Sequence, residues 1–143
     1  MIALDTNVLV YAHREDSAHH RAAARRLGAL VAGPKQVGLP WPVVHEFLAV
    51  VTHPRIYRPP TPMVAALAAI DALLDAPGVH PLAEGADHLT VLGRLLKGGE
   101  ITGARVHDAR VAAICLSHGV EALWSADRDF SWFPELMVVN PLV

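Results

Sequence analysis

Short apolar segments alternate with longer helical segments along the whole chain, and this alternation most narrows the possible fold. Five segments have the composition of short buried strands: 2–4, 37–39, 79–81, 122–124 and 137–139. Between them, apolar residues recur at helical spacing. Strands that alternate with helices are typical of a parallel sheet. We expect an α/β fold in which a central parallel β-sheet is flanked by α-helices in three layers.

The expected helices have recognisable starting residues. Ser17 is a candidate N-cap for a helix that runs to about Val31. Pro42 fits the first turn of the next helix, and Thr61 is a candidate N-cap for a helix that continues through Leu74. Three further helices are expected over residues 8–13, 87–96 and 108–117.

Length and composition are those of one globular domain over residues 1–143. Apolar residues make up 52% and charged residues 18%, which excludes a disordered chain. The net charge of −2 excludes a global basic field, so nucleic-acid binding would need a local cationic patch. The N-terminus lacks a secretory pattern, and the most apolar helix contains Asp71. We expect a soluble, cytoplasmic protein with no membrane segment.

Four carboxylates stand at the edges of apolar segments. Asp5 ends the first strand, Glu46 lies early on a helix, Asp108 opens another helix, and Asp127 follows the fourth strand. In parallel sheets, ligands bind at the carboxyl ends of strands. If the four converge, their repulsion demands a cation, and an all-oxygen cluster suits Mg²⁺ or Mn²⁺. Taken singly, Asp5 and Asp108 are equally well explained as helix N-caps.

A zinc site is the weaker interpretation of the ionisable residues. His45-Glu46 begins like a zinc-protease helix, but Ala49 stands where the second histidine is required. Cys115 is the one cysteine of the sequence, which excludes cysteine-rich zinc sites, and its apolar neighbours predict a buried, unreactive thiol.

The acidic residues lie in four motifs that occur in order along the chain. The motifs are Asp5-Thr6-Asn7-Val8-Leu9, Glu46 in an apolar helix after a proline, Asp108-Ala109-Arg110-Val111-Ala112-Ala113, and Ser125-Ala126-Asp127-Arg128-Asp129-Phe130. In these motifs, and over nearly its full length, the chain resembles the PIN-domain ribonucleases, specifically VapC-type toxins of type II toxin–antitoxin systems. Ser125 stands where threonine is commoner in the family, and it retains the hydroxyl.

The resemblance implies a Mg²⁺- or Mn²⁺-dependent endoribonuclease with a PIN-like fold, usually a homodimer, that a small cognate antitoxin inhibits. It implies catalytic roles for Asp5, Glu46, Asp108 and Asp127. Asp5, Asp108 and Asp127 are expected to form most of the metal site, while Glu46 ligates directly, acts through water or orients the nucleophile. Residues expected to orient ligands or substrate are Thr6, Asn7 and Ser125; Asp129 is equally well explained as a cap or as an aid to metal binding.

Two arginines are candidates for RNA binding. Arg55 and Arg58 lie on the proline-rich loop after the Glu46 helix, with Tyr57 between them, which suits an RNA backbone near the site.

Several other functions stay open at the level of sequence. A haloacid-dehalogenase-like phosphatase also begins with an aspartate after the first strand, but Asn7 stands where its second aspartate is required. A response-regulator receiver would need a lysine after a late strand, and Lys35 and Lys97 are poorly placed for that role. A PIN nuclease of RNA processing that is not a toxin, and an inactive PIN-like binding module, are the remaining alternatives.

Overall fold

The computed structural model describes residues 1–143, apart from the side chain of Asp129. Its described residues form a sheet of five strands: β1 (Ile2–Leu4), β2 (Val37–Pro40), β3 (Val79–Leu82), β4 (Ala122–Trp124) and β5 (Val138–Val139). The strand order is β3-β2-β1-β4-β5, and every neighbouring pair is parallel. All five expected strands are present, and the predicted α/β fold with a central parallel sheet is confirmed.

Six α-helices flank this sheet in the described part of the chain. They are α1 (Thr6–His13), α2 (His20–Ala32), α3 (Trp41–Val51), α4 (Met63–Asp75), α5 (His88–Gly98) and α6 (Arg105–Ser117). A short 3-10 helix, Arg128–Trp132, lies between β4 and β5. Of the helices described, none combines the length and apolar character needed to cross a membrane.

Three residues that were candidate N-caps from the sequence do not cap a helix. Helix α2 begins at His20 rather than after Ser17, whose hydroxyl accepts a hydrogen bond from the His19 N–H at 3.1 Å. Helix α4 begins at Met63 rather than after Thr61. The Thr61 hydroxyl instead accepts from Arg14, because a distant side chain competes for it. Helix α6 begins at Arg105, one turn earlier than expected, so Asp108 lies in its first turn and is not its N-cap.

The strands at the centre of the sheet fix the position of Asp5, the first residue of the candidate site. Strand β1 is fully buried between β2 and β4. Gly38 on β2 lies against the Leu82 side chain, and a Cβ at this position would be 2.6 Å from a Leu82 methyl group. The Asp5 N–H donates to the Trp124 carbonyl at 3.0 Å, which continues the β1–β4 pairing by one residue. The carboxyl ends of β1 and β4 are therefore held side by side.

Candidate active site

All four predicted acidic residues line one cavity of about 290 Å³ at the carboxyl end of the sheet. Each comes from a different element: Asp5 follows β1, Glu46 lies on α3, Asp108 lies on α6, and Asp127 follows β4. The parallel topology explains this convergence, since β1 and β4 are neighbours whose carboxyl ends meet at one edge. The structure thus brings together residues that are far apart in the sequence.

Asp5 is held by three protein donors. Its carboxylate accepts from the Thr6 N–H at 2.8 Å, the Ser125 hydroxyl at 2.6 Å and the Asn7 amide at 3.3 Å. Asp5 is also the N-cap of α1, which is the alternative role that the sequence left open. Only 6% of the residue is exposed, and a cap alone does not require such deep burial beside other carboxylates. Asp5 therefore caps a helix and faces the acidic cavity.

Thr6 connects the first and second motifs. Its hydroxyl donates to a Glu46 carboxylate oxygen at 3.1 Å, across 40 residues of sequence. The residue is buried, and it immediately follows Asp5. One short segment of α1 therefore fixes the positions of two of the four carboxylates.

Asn7 and Ser125 connect the first and fourth motifs. The Asn7 amide oxygen accepts from the Ala126 N–H at 3.1 Å, and its amide nitrogen lies 3.4 Å from the Ser125 hydroxyl. The Ser125 oxygen also accepts from the Asp127 N–H at 2.9 Å while its proton goes to Asp5. The Ser125 hydroxyl thus holds the Asp127 backbone close to the Asp5 carboxylate.

The electrostatics of the cavity favour positive charge. Burial, above all, raises the pKa of Asp5 from its usual value of 3.8 to about 6, even though hydrogen bonds from Ser125 and Thr6 act to lower it. The negative charges of Glu46 and Asp127 add to the rise. Carboxylates that repel one another in a buried cavity are stabilised by a bound cation.

The described side chains do not form a ready-made cluster of three His, Cys, Asp or Glu ligands. Instead, the four carboxylates surround the cavity, where Asp5 accepts from backbone and hydroxyl donors and Glu46 accepts from a hydroxyl. Closer approach is opposed by their mutual repulsion. The donor set is nevertheless all oxygen, as hard divalent cations prefer.

The raised pKa of Asp5 predicts a pH-dependent effect of Asp5→Asn on stability without metal. The folded protein binds a proton more tightly at Asp5 than the unfolded chain does, so the unfolding free energy falls as pH rises from about 4 to about 6. Asparagine does not ionise, so the variant does not lose this unfolding free energy. For a pKa shift of about two units, the loss is at most roughly 3 kcal/mol. The variant's stability relative to wild type should therefore be greater at pH 7 than at pH 4.

Denaturant unfolding in EDTA at both pH values measures this difference. Asp71→Asn is the matched control, because Asp71 is an exposed carboxylate on α4. If Asp5→Asn showed the same relative stability at pH 4 and pH 7, the assignment of an ionisation penalty to Asp5 would be wrong.

A larger groove of about 760 Å³ adjoins the acidic cavity and shares Asp5, Glu46 and Asp108 with it. His45 and His107 also line this groove, beside the acidic residues that they flank in sequence. The site is thus open along α3 and α6 to an extended ligand.

Three aromatic residues of the acidic cavity were not predicted as site residues: Tyr11, Tyr57 and Phe130. For Tyr57, the flanking arginines were the available signal in the sequence. Those arginines, Arg55 and Arg58, are exposed and do not line the acidic cavity.

Two further predictions concern Asp129 and Cys115. The side chain of Asp129 lies outside the described residues, so its predicted role stays a prediction. Cys115 is fully buried, as the sequence predicts. Burial raises the pKa of its thiol to about 12, which disfavours a thiolate.

Comparison with known proteins identifies the family of the chain. The model of the PIN domain family matches residues 2–136. Ribonuclease VapC43 of Mycobacterium tuberculosis is 38% identical over 143 residues, covering 99% of this chain and 96% of the relative. Ribonuclease VapC31 of the same species is 34% identical over 141 residues, covering 99% of both chains.

Solved structures share the fold. The structure of VapBC2 from Rickettsia felis bound to a promoter DNA fragment superposes with a TM-score of 0.72, at 19% identity over 98% of both chains. VapC20 of Mycobacterium tuberculosis, a sarcin-ricin loop cleaving toxin, has a TM-score of 0.66 at 23% identity, covering 92% of this chain and 93% of that one. By sequence and by fold, the chain belongs to the PIN-domain family, within the group of VapC ribonucleases.

Proposed function

We propose that this protein is a Mg²⁺- or Mn²⁺-dependent endoribonuclease, and the toxin of a toxin–antitoxin pair. The observation that carries the proposal is the convergence of the acidic residues of all four motifs on one cavity. The relatives that match nearly the whole chain are named ribonucleases, which supports RNA as the substrate class.

The residues of the cavity fit a hard divalent cation. In our proposal Asp5, Asp108 and Asp127 hold the ion, and Glu46 ligates it, acts through water or orients the nucleophile. A bound ion of this kind lowers the pKa of a water molecule and neutralises charge that develops on the phosphate. Because Asp5 is buried against protein donors, its oxygens are held in place before any ligand binds.

Thr6, Asn7 and Ser125 have supporting roles in this proposal. Each makes a hydrogen bond to, or beside, a proposed metal-binding carboxylate. Such contacts orient ligands, and their loss commonly reduces metal affinity or activity about 10- to 100-fold.

The phosphatase alternative is disfavoured by the environment of Asn7. That residue occupies the position where a general acid would stand, and both ends of its amide contact the Ser125 and Ala126 segment. An amide cannot exchange a proton with a leaving group at neutral pH. The geometry therefore supports hydrolysis by an activated water better than an acid-assisted aspartyl intermediate.

Incubation of the purified protein with total RNA and Mg²⁺ tests the ribonuclease activity, with product ends as the sharpest readout. Attack by an activated water leaves a phosphate on one RNA fragment and a hydroxyl on the other. Attack by the 2′-hydroxyl instead leaves a cyclic phosphate. We expect 5′-phosphate and 3′-hydroxyl ends. Cyclic phosphate products would contradict the proposed mechanism.

A small antitoxin is the partner that we propose. The solved structures of similar fold include VapBC complexes, and the VapBC-1 structure from Haemophilus influenzae has a TM-score of 0.69. The acidic cavity is suited to a cationic side chain from such a partner. An arginine would supply positive charge where the metal binds, and its fork matches carboxylates bidentately.

We also propose a homodimer. Helix α4 exposes Met63, Val64 and Leu67, and Val64 is 82% exposed. Apolar side chains that cluster on one exposed helix are typical of an interface. Sedimentation equilibrium of the purified toxin should give twice the mass of one chain, and a monomer at all concentrations would contradict this proposal.

Expression in bacteria tests the toxin role. The wild-type chain alone should stop growth, because uncontrolled RNA cleavage blocks protein synthesis. Co-expression with the small protein encoded beside it in its native genome should restore growth. The Asp108→Asn variant is the matched control and should be harmless alone. If wild type were harmless at high soluble expression although the purified protein cleaves RNA, a nuclease of RNA processing would be favoured over a toxin.

A further inference from the structure

We propose that Tyr57 is a nucleobase-binding residue of the active site, on which a base beside the scissile phosphate stacks, and that Arg14 is the residue that positions it. This inference rests on the proposed ribonuclease function and adds the part of the substrate that the cavity recognises. The ligand class is the base of a single-stranded RNA.

The acidic cavity is lined by more residues than a metal ion needs. Besides the four carboxylates with Thr6 and Asn7, its walls are aromatic and aliphatic: Val10, Tyr11, Val50, Tyr57 and Phe130. A hydrated cation gains nothing from such walls, whereas a nucleotide carries an apolar planar base next to its charged phosphate. Single-stranded RNA is commonly bound through bases that stack on aromatic side chains.

Among the three aromatic residues, Tyr57 is best placed to contact a base. Phe130 is only 2% exposed and belongs to the core, and the Tyr11 ring packs against His19 with 5.0 Å between centroids. Tyr57 is half-buried and lies between the exposed residues Arg55 and Arg58. Cationic residues close in sequence to a stacking ring suit an RNA strand, in which phosphates flank each base.

The proline-rich loop that carries Tyr57 is fixed at both ends. The Tyr57 N–H donates to the His53 carbonyl at 3.0 Å, which forms a tight turn after α3. The Thr61 N–H donates to the Val51 carbonyl at 2.8 Å, which closes the loop onto the end of the same helix. A loop closed in this way holds its central residue in place without help from a ligand.

Arg14 fixes the Tyr57 ring itself. The Arg14 guanidinium carbon lies 4.3 Å from the ring centroid, a favourable cation–π geometry. The same guanidinium donates twice to Asp16, at 2.9 and 2.6 Å, and once to the Thr61 hydroxyl at 3.1 Å. Only 12% of the Arg14 side chain is exposed, and these contacts hold its guanidinium in place. It packs against Tyr57 and ties that residue to the base of its own loop.

A purely structural role for Tyr57 makes a different prediction. Tyr57 also packs against the hydrophobic core, so its replacement could lower stability alone. Binding measurements on folded variants separate the two roles. Tyr57→Phe keeps the ring and tests whether stacking suffices, Tyr57→Leu removes the aromatic face, and Ile56→Ala is a control at an exposed neighbour on the same loop.

The experiment uses a short synthetic RNA that spans the cleavage site mapped with wild-type protein. Tyr57→Leu should raise KM about ten- to a hundredfold, with a smaller change in kcat, because it removes stacking that is present before the reaction. Tyr57→Phe should restore KM to within about threefold of wild type. Arg14→Met should raise KM in wild type but add little in the Tyr57→Leu protein, because Arg14 acts through Tyr57.

An abasic nucleotide shows whether the base is the group recognised. Binding is measured with Mg²⁺ present, on RNAs that carry an uncleavable methylenephosphonate at the scissile position and lack the base on one side of it. When Tyr57 is present, one of these abasic RNAs should bind about ten- to a hundredfold more weakly than the intact RNA. In the Tyr57→Leu protein, the abasic and intact RNAs should bind equally well. Equal losses with and without the Tyr57 ring, or an unchanged KM for a folded Tyr57→Leu protein, would overturn the inference. Failure of wild type to cleave any RNA would instead contradict the ribonuclease proposal.

Discussion

Replacing Asp108 by asparagine should reduce the rate of RNA cleavage by at least about a thousandfold while the protein stays folded. The substitution removes one negative charge from the cavity that Asp5, Glu46 and Asp127 also line. A metal that loses a carboxylate ligand binds more weakly and is placed less accurately. In the proposed mechanism, several kcal/mol of transition-state stabilisation depend on that ion, and each 1.36 kcal/mol corresponds to about a tenfold change in rate.

The same loss is expected for Asp5→Asn and Asp127→Asn. Single-turnover cleavage of one defined RNA measures the rates, and circular dichroism checks that the variants are folded. Asp71→Asn, an exposed substitution on α4, should cleave at the wild-type rate. A folded Asp108→Asn protein with more than about a tenth of wild-type activity would contradict the assignment.

The fourth motif contains two aspartates, and the prediction distinguishes them. Asp127 lines the acidic cavity, and its N–H is held by Ser125. Asp129→Asn should therefore reduce activity less than Asp127→Asn does. If Asp129→Asn were inactive and Asp127→Asn active, our assignment within this motif would be wrong.

Removing divalent metal should abolish cleavage, and this is the second large effect that we expect. EDTA should reduce the cleavage rate to background, and excess Mn²⁺ or Mg²⁺ should restore it. The physical reason is that the four carboxylates repel phosphate as well as one another, so an RNA phosphate needs an intervening cation to approach them.

A metal-independent ribonuclease assayed on the same RNA is the control for EDTA effects on the substrate. Its rate should not change, whereas that of the present protein should fall. Undiminished cleavage in EDTA, after exhaustive dialysis against the chelator, would exclude the metal-dependent mechanism.

The sheet and the four carboxylates could be predicted from the sequence for the same reason. Buried parallel strands appear as short continuous apolar segments, so β1 and β4 were recognisable without tertiary information. Once β1 and β4 are adjacent, Asp5 and Asp127 must lie near each other. The position of Asp108 was predicted less well, because α6 begins one turn before the residue that looked like its cap.

The loop contacts could not be predicted, because they depend on where the loop folds back. Thr61 has the sequence context of a helix N-cap, yet its hydroxyl pairs with Arg14 and His13. Arg14 directly follows α1, Tyr57 lies in the loop between α3 and α4, and no periodic pattern connects the two. Tertiary hydrogen bonds take the place of the predicted local cap at Thr61, and Tyr57 on the same loop lines the acidic cavity.

A crystal soaked in Mn²⁺ tests the central claim most directly, because anomalous scattering locates the ion independently of any activity assay. We predict a Mn²⁺ peak in the acidic cavity, within coordination distance of oxygens from Asp5, Asp108 and Asp127. The peak should be lost or strongly weakened in crystals of Asp108→Asn. A Mn²⁺ peak away from this cavity, or none there in a crystal whose dissolved protein cleaves RNA with Mn²⁺, would contradict the proposal that these carboxylates form the catalytic metal site.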